Sequence, residues 1–279
     1  MTSQPRSLRA SAARGLPETG LSEIFILVLY NVPVKTDASG MSNFTVTDRS
    51  RVRRRAERGS FDRELVYAIL DEGLVCHVSF VHEAHPVVLP MAYVRLADQL
   101  YLHGSAKNRM LDVLAAGAPT CIAVTLLDGL VLARSQFHHS VNYRSVVIFG
   151  SAQTVTDPEQ KQRVLGALCD HSAPGRSRES RPGTRQELAG TRVLGVPIVE
   201  ASAKCRTGPP LDSADDLELP HWAGVVPLTL RVGTPQPDPS LRADILPSSA
   251  VASLHSASHW GARSGNNTDA KPQHESRHK

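Results

Sequence analysis

The chain has 279 residues, enough for one large domain or two small ones, and its 41% hydrophobic content supplies a core, which excludes disorder throughout. A formal net charge of +4 and a pI near 9.0 are mildly basic, but aromatic residues are only 5% and do not alternate with the basic ones, so nucleic-acid binding is not indicated. Cys76, Cys121, Cys169 and Cys205 lie far apart without CxxC or zinc-ligand spacing, and they read as reduced thiols of a cytoplasmic protein.

Residues 1–20 are rich in Ser, Arg, Ala and Pro. The apolar run at 21–34 is broken by Glu23, Asn31 and Pro33, is too short to span a bilayer, and lacks the small-residue cleavage site of a signal peptide. The expectation is that Met41 is the true start and that residues 1–40 are an upstream extension outside the fold. One domain then runs over 41–246, and the polar stretch 247–279 has little to bury and is expected to be a disordered tail.

Residues 51–58, RVRRRAER, read as a solvated basic arm. Phe61 and Asp62 open a helix whose stripe of Leu65, Val66, Ile69 and Leu70 is closed by Gly73. Strands follow at 74–81 and 86–96 around a polar turn. His77, His82 and His85 invite a metal reading, but no carboxylate or cysteine completes a set, and no metal is expected.

The stretch 100–119, LYLHGSAKNRMLDVLAAGAP, joins an apolar strand to a helix through small residues. Ser105 reads as the N-cap and places Lys107 and Arg109 in the first turn, an unfavourable site for cations unless an anion is held there. The same pattern also describes a solvated helix end. Further strands are expected at 120–127, at 142–155 with a bend at Gly150, at 191–203 as one strand, and at 225–232, with a helix capped by Asp157. The acidic segment 211–219 reads as a loop.

In this order the pieces FDRELVYAILDEGLVCHVSF, VVLPMAYV, QLYLHGSAKNRML, NYRSVVIFGSAQ, TRVLGVPIVEASAKCRTGPP and HWAGVVPL resemble the pyridoxamine 5′-phosphate oxidase-like flavin-binding split barrels, in the branch that includes the nitroimidazole-resistance proteins. The resemblance spans about 49–232. It implies a mainly β fold with peripheral helices, a six-stranded antiparallel split barrel that forms a homodimer with FMN in clefts at the interface. It places Pro90, Met91, Ala92 and Tyr93 beside the isoalloxazine, His103, Gly104 and Ser105 near ribityl and phosphate, and Lys107 with Arg109 on the phosphate. Tyr143, Arg144 and Ser145 would line the same cleft, and Lys204, Arg206 and Trp222 would reach the flavin from the other subunit.

The Arg- and Gly-rich ending of pyridoxamine-phosphate oxidase itself is absent, so that substrate is not implied. No triad or general base stands out, and none is required where the flavin carries the chemistry. The leading expectation is an FMN-dependent oxidoreductase passing a hydride or electrons from a reduced donor to a small-molecule acceptor, with no nucleic-acid or membrane partner. The rivals are a non-catalytic flavin store, or the same cleft used for haem or a deazaflavin. His138 beside His139 keeps haem in view.

Overall fold

The computed structural model describes residues 42–256. The sequence expectations for residues 1–40 and Met41, and for 257–279, lie outside the described residues. Ten strands form one antiparallel sheet: β1 (Gly59–Ser60), β2 (Val75–His82), β3 (His85–Leu96), β4 (Gln99–Ser105), β5 (Pro119–Leu132), β6 (Ser140–Ser151), β7 (Gln153–Thr154), β8 (Thr191–Pro197), β9 (Glu200–Arg206) and β10 (Gly224–Pro227). The spatial order is β1-β9-β6-β5-β2-β3-β4-β8-β7, with β10 added to β5. Five helices flank it: α1 (Arg63–Glu72), α2 (Arg109–Ala115), α3 (Pro158–Ser172), α4 (Arg185–Gly190) and α5 (Ser249–Ser256). The sheet is open and curled, the split-barrel arrangement expected from the sequence.

The alternation along β2 shows how the sheet chooses its faces. Cys76, Val78 and Phe80 are buried, while the alternate positions Val75, His77 and Val81 are exposed. The inner face packs on α1, whose Val66, Ile69 and Leu70 enter the core and whose N-cap Asp62 accepts a hydrogen bond from Leu65 N at 2.8 Å. Gly73 ends α1 where a Cβ would lie 2.7 Å from Tyr93 Oη and from Val124 Cγ1, so no larger residue fits. A second apolar cluster, Val94, Tyr101, Val155, Val164, Leu168 and Val193, sits under α3 on the other side of the sheet.

Several local expectations change. The stretch read as one strand at 191–203 turns at Ile198 and Val199 into β8 and β9. Ile198 N anchors that turn by donating to Asp98 O at 2.8 Å. Gly150 makes no bulge, because its pairing with Thr120 is regular. The irregularity falls on β5 between Leu127 and Gly129. The last strand stops at Pro227, which has no N–H to extend a ladder. The tail expected to be disordered from 247 contains α5, which buries Ala250 against the 174–179 loop and is held by Glu179.

The relationship that positions the site is in β3. From His85 to Ala92 this strand pairs with β2, and from Tyr93 to Leu96 it pairs with β4. It therefore changes partner between Ala92 and Tyr93. Beyond the Tyr93–Leu102 pair, His103, Gly104 and Ser105 of β4 pair only with β8.

Candidate functional site

The split has two lips. One is Pro90, Met91 and Ala92 on the free edge of β3, where Pro86 and Pro90 lack donors and discourage further strand pairing. The other is His103, Gly104 and Ser105 on β4, continuing into Lys107 and Arg109. Register extended past the Tyr93–Leu102 pair would set Ala92 opposite His103, so the two strands diverge where the sequence reading had joined them in one cleft. Pro90 and Ala92 are exposed, whereas Met91 turns inward and packs on the core.

Gly104 lies flat against α2, where an added Cβ would sit 3.1 Å from Leu111 Cδ1. His103 is half-buried, its Nδ1 is enclosed without a hydrogen-bond partner, and burial pushes its pKa down, so it is a neutral imidazole near pH 7. The cap of α2 is Asn108, not Ser105: Asn108 Oδ1 accepts from Leu111 N at 3.3 Å. Ser105 ends β4, and its Oγ accepts from Lys107 N at 3.2 Å, an earlier turn that holds Lys107 outside the helix. The helix has only seven residues, so the positive character of this lip rests on side chains rather than on a helix terminus. Lys107 and Arg109 are exposed, and no ion pair occupies either among the described residues. The neighbouring Arg192, opposite Gly104 on β8, is by contrast tied to Asp112. Sequence reasoning missed that pair because its members are 80 residues apart and only the β4–β8 register joins them.

Three predicted residues are elsewhere. Tyr93 is fully buried, and its hydroxyl donates to Leu70 O at 2.7 Å; it is a core residue and does not reach a cleft. Arg144 points to the inner side, bonded to Glu72 and to Asp128, with Nη2 2.8 Å from each of Glu72 Oε1 and Asp128 Oδ1. Those bonds, first that to Glu72, raise its pKa further. Arg206 is buried and spends its guanidinium on Asn142 and on the carbonyls of Gly208 and Pro209, fixing the loop after β9.

Tyr143, Ser145 and Lys204 share the outer face of the sheet with Pro90 and Ala92, but not their edge. Ser145 pairs with Lys204 and Thr125, three to four strands from β3, or roughly 14–19 Å at normal strand spacing. Ser145 Oγ donates to Lys204 O at 3.1 Å, and Lys204 Nζ donates to Arg54 O at 2.9 Å. Trp222 is 66% exposed and stacks over Gly224 before β10. One chain thus assembles Pro90, Ala92, His103, Gly104, Ser105, Lys107 and Arg109, and leaves the other wall to a distant part of the same face.

That outer face carries an unusual composition. Following register from β3 through β2 and β5 to β6, the outward positions include no Asp, Glu, Lys or Arg. Val75, Val81, Val88 and Leu127 are 48–60% exposed on it. His77 sits near its centre, between Pro90 and Ala123, and is the titratable group sequence reasoning had weighed only as a metal ligand. Among the described residues no group of His, Cys, Asp or Glu could hold a metal ion, and no helix is long and apolar enough to cross a membrane.

The comparisons bear on this geometry. The family described as pyridoxamine 5′-phosphate oxidase matches residues 62–205, just over half the chain. The flavocytochrome Anf3 from Azotobacter vinelandii is 37% identical, with a TM-score of 0.71, over 75% of this chain and 97% of its own. A FAD and heme binding protein from Mycobacterium smegmatis is 38% identical, with a TM-score of 0.68, over 71% of this chain and 97% of its own. A putative 5-nitroimidazole antibiotic resistance protein from Bacteroides thetaiotaomicron shares 22% identity, with a TM-score of 0.45, over 51% of this chain and 83% of its own. No curated protein sequence matches. The family match over residues 62–205 and the two relatives covered almost end to end carry one conclusion: the chain belongs to the pyridoxamine 5′-phosphate oxidase-like family.

Proposed function

We propose that the chain is a flavin-dependent oxidoreductase that holds a flavin nucleotide in the split between β3 and β4. The observation that carries this reading is the β4 lip, where two unpaired cations, a glycine in close contact and an enclosed, unpartnered His103 Nδ1 lie together. Lys107 and Arg109 are suited to a phosphate by charge-assisted hydrogen bonds, and neutral His103 to a hydrogen bond with a polar ring or ribityl atom. The sequence expectation of FMN becomes a flavin with a 5′-phosphate, which FMN and FAD share. The flavin supplies the electron chemistry; the chain's residues bind it, orient it and keep water from it.

The second wall is assigned to a second copy. An outer face with no charged outward position on four strands is unsuited to water, and a two-fold contact would bury it while bringing the partner's own β6 and β9 face to the lip. A flavin together with haem is the second reading, favoured by the descriptions of the Azotobacter and Mycobacterium proteins. The His138 and His139 pair does not support it: His138 Nε2 is 3.2 Å from Ser213 Oγ, and His139 Nδ1 is 2.9 Å from Ser135 O, on an exposed hairpin.

An absorption spectrum tests the proposal. The expected result is the two visible bands of oxidised flavin, bleached by a reduced nicotinamide donor under anaerobic conditions and restored by an acceptor. A Soret band would add haem. Protein that releases no flavin on denaturation and takes up neither FMN nor FAD would overturn the reading.

A further inference from the structure

We infer that the arginine loop at residues 48–58 is a docking surface for a small acidic electron-carrier protein, an inference that rests on the reading of the chain as a redox protein. Six arginines and two acids give these eleven residues a net charge of +4, the formal charge of the whole chain, so the rest of the sequence is balanced. The loop is therefore the molecule's electrostatic pole. Asp48 and Glu57 neutralise little of it, each lying 3.9 Å from its arginine, Arg53 and Arg55, beyond hydrogen-bond reach, whereas Arg49 is tied to Glu200 of β9 and leaves the charge to the other five arginines. Arg51 and Arg54 are exposed and have no carboxylate partner among the described residues. Beneath them Lys204 Nζ and the buried Arg206 add like charge, and the Arg206 pKa is lowered by burial and then by Arg58.

This surface is built, not trailing. Lys204 clamps Arg54 O, Arg51 N donates to Thr47 O at 3.0 Å, and Gly59 packs so tightly that a Cβ would lie 2.8 Å from Val52 Cβ. Arg55 is held in the left-handed region at φ 56°. A polybasic signal for lipid needs no such fixed geometry and anchors stably only with a second, apolar element. A nucleotide donor needs a concave site that buries most of it, whereas Arg51, Arg53, Arg54 and Arg55 are all exposed. Stacking on single-stranded nucleic acid needs exposed aromatics, and the flanking Phe44 and Phe61 are packed in or against the core. Exposed, predominantly positive charge on an anchored backbone suits a brief encounter with an acidic protein, in which steering matters more than area. The loop also borders β9 and β6, whose Lys204, Ser145 and Tyr143 belong to the wall assigned to the flavin.

The test uses the full chain and an oxidised plant-type [2Fe–2S] ferredoxin as probe, titrated at low and at physiological ionic strength. Arg51→Gln/Arg53→Gln/Arg54→Gln is compared with Arg163→Gln/Arg185→Gln/Arg231→Gln, which removes the same charge elsewhere. The expected result is salt-sensitive binding, weakened about 10-fold or more by the loop variant and little by the control. Absence of binding, equal binding by both variants, or loop-dependent binding only to phosphatidylglycerol vesicles or duplex DNA would overturn the inference. Flavin released on denaturing the same samples reports separately on the redox reading.

Discussion

Tyr93 pairs with Leu102, and no pair on the lip side of it joins β3 to β4. The position of the split follows from that relationship. Tyr93 is large, fully buried and hydrogen-bonded to Leu70 O at the end of α1, so it fastens the two strands to the core on one side. On the other side Ala92 goes with β2 and His103 with β8.

Tyr93→Phe removes the donor and leaves a buried helix carbonyl without that partner. The expected loss of stability is about 1–3 kcal/mol by chemical denaturation, with flavin affinity of the folded protein unchanged. A variant of unaltered stability that no longer binds flavin would return Tyr93 to the cleft.

Val75→Asp/Val88→Asp places two carboxylates on the uncharged outer face, where Val75 and Val88 are about half exposed in one chain. Light scattering is expected to give twice the chain mass for the wild type and the monomer mass for the variant, with flavin lost from the monomer. A monomeric wild type that binds flavin would contradict the shared site.

Sequence was a good guide to whatever is encoded locally. The stripe of α1 and the hairpin of β2 and β3 are short-range patterns, and both stand where their periodicity placed them. Distant pairing was not legible. Tyr93 continues the apolar run of Met91 and Ala92, and only the change of partner shows that it faces the core. Arg144 reads as a free cation until the fold brings up Glu72, 72 residues away. Ser105 resembles a cap because Asn108, three residues later, offers the same chemistry. The helix at Ser249–Ser256 was hidden because its anchor, Glu179, is some 70 residues upstream.

Thiol chemistry separates core from surface. Burial pushes the Cys76 thiol up to about 12 and also raises Cys121 and Cys205, while Cys169 is exposed on α3. A maleimide at neutral pH is expected to label Cys169 first and Cys76 only on unfolding. Early labelling of Cys76, read by mass spectrometry of peptides, would show that the core near β3 opens.

The capping box of α4 gives a pH dependence with a definite sign. Arg181 holds the Glu187 carboxylate at 2.7 and 2.8 Å and Thr184 N donates to it at 2.7 Å, lowering its pKa from 4.5 to about 2. A depressed carboxylate stabilises the fold above its ordinary pKa and ceases to do so as pH falls through the folded value. The protection of the α4 amides, taken as exchange relative to the intrinsic rate at each pH, is therefore expected to fall between pH 4.5 and about 2, and Glu187→Gln is expected to flatten that dependence. Protection indifferent to pH in both proteins would remove the box as a stabilising element.

The central claim is that the β4 lip takes the flavin phosphate, and riboflavin, which has the ring without the phosphate, is its natural control. Each cation lost from a charge-assisted contact costs about 1.5–3 kcal/mol, or roughly a 10- to 100-fold weaker complex. Fluorescence quenching at fixed salt is expected to show FMN bound that much more weakly by Lys107→Ala and by Arg109→Ala, more weakly still by the pair, and riboflavin bound equally by all. Equal FMN affinity in the wild type and the double variant, or parallel losses for FMN and riboflavin, would contradict the account.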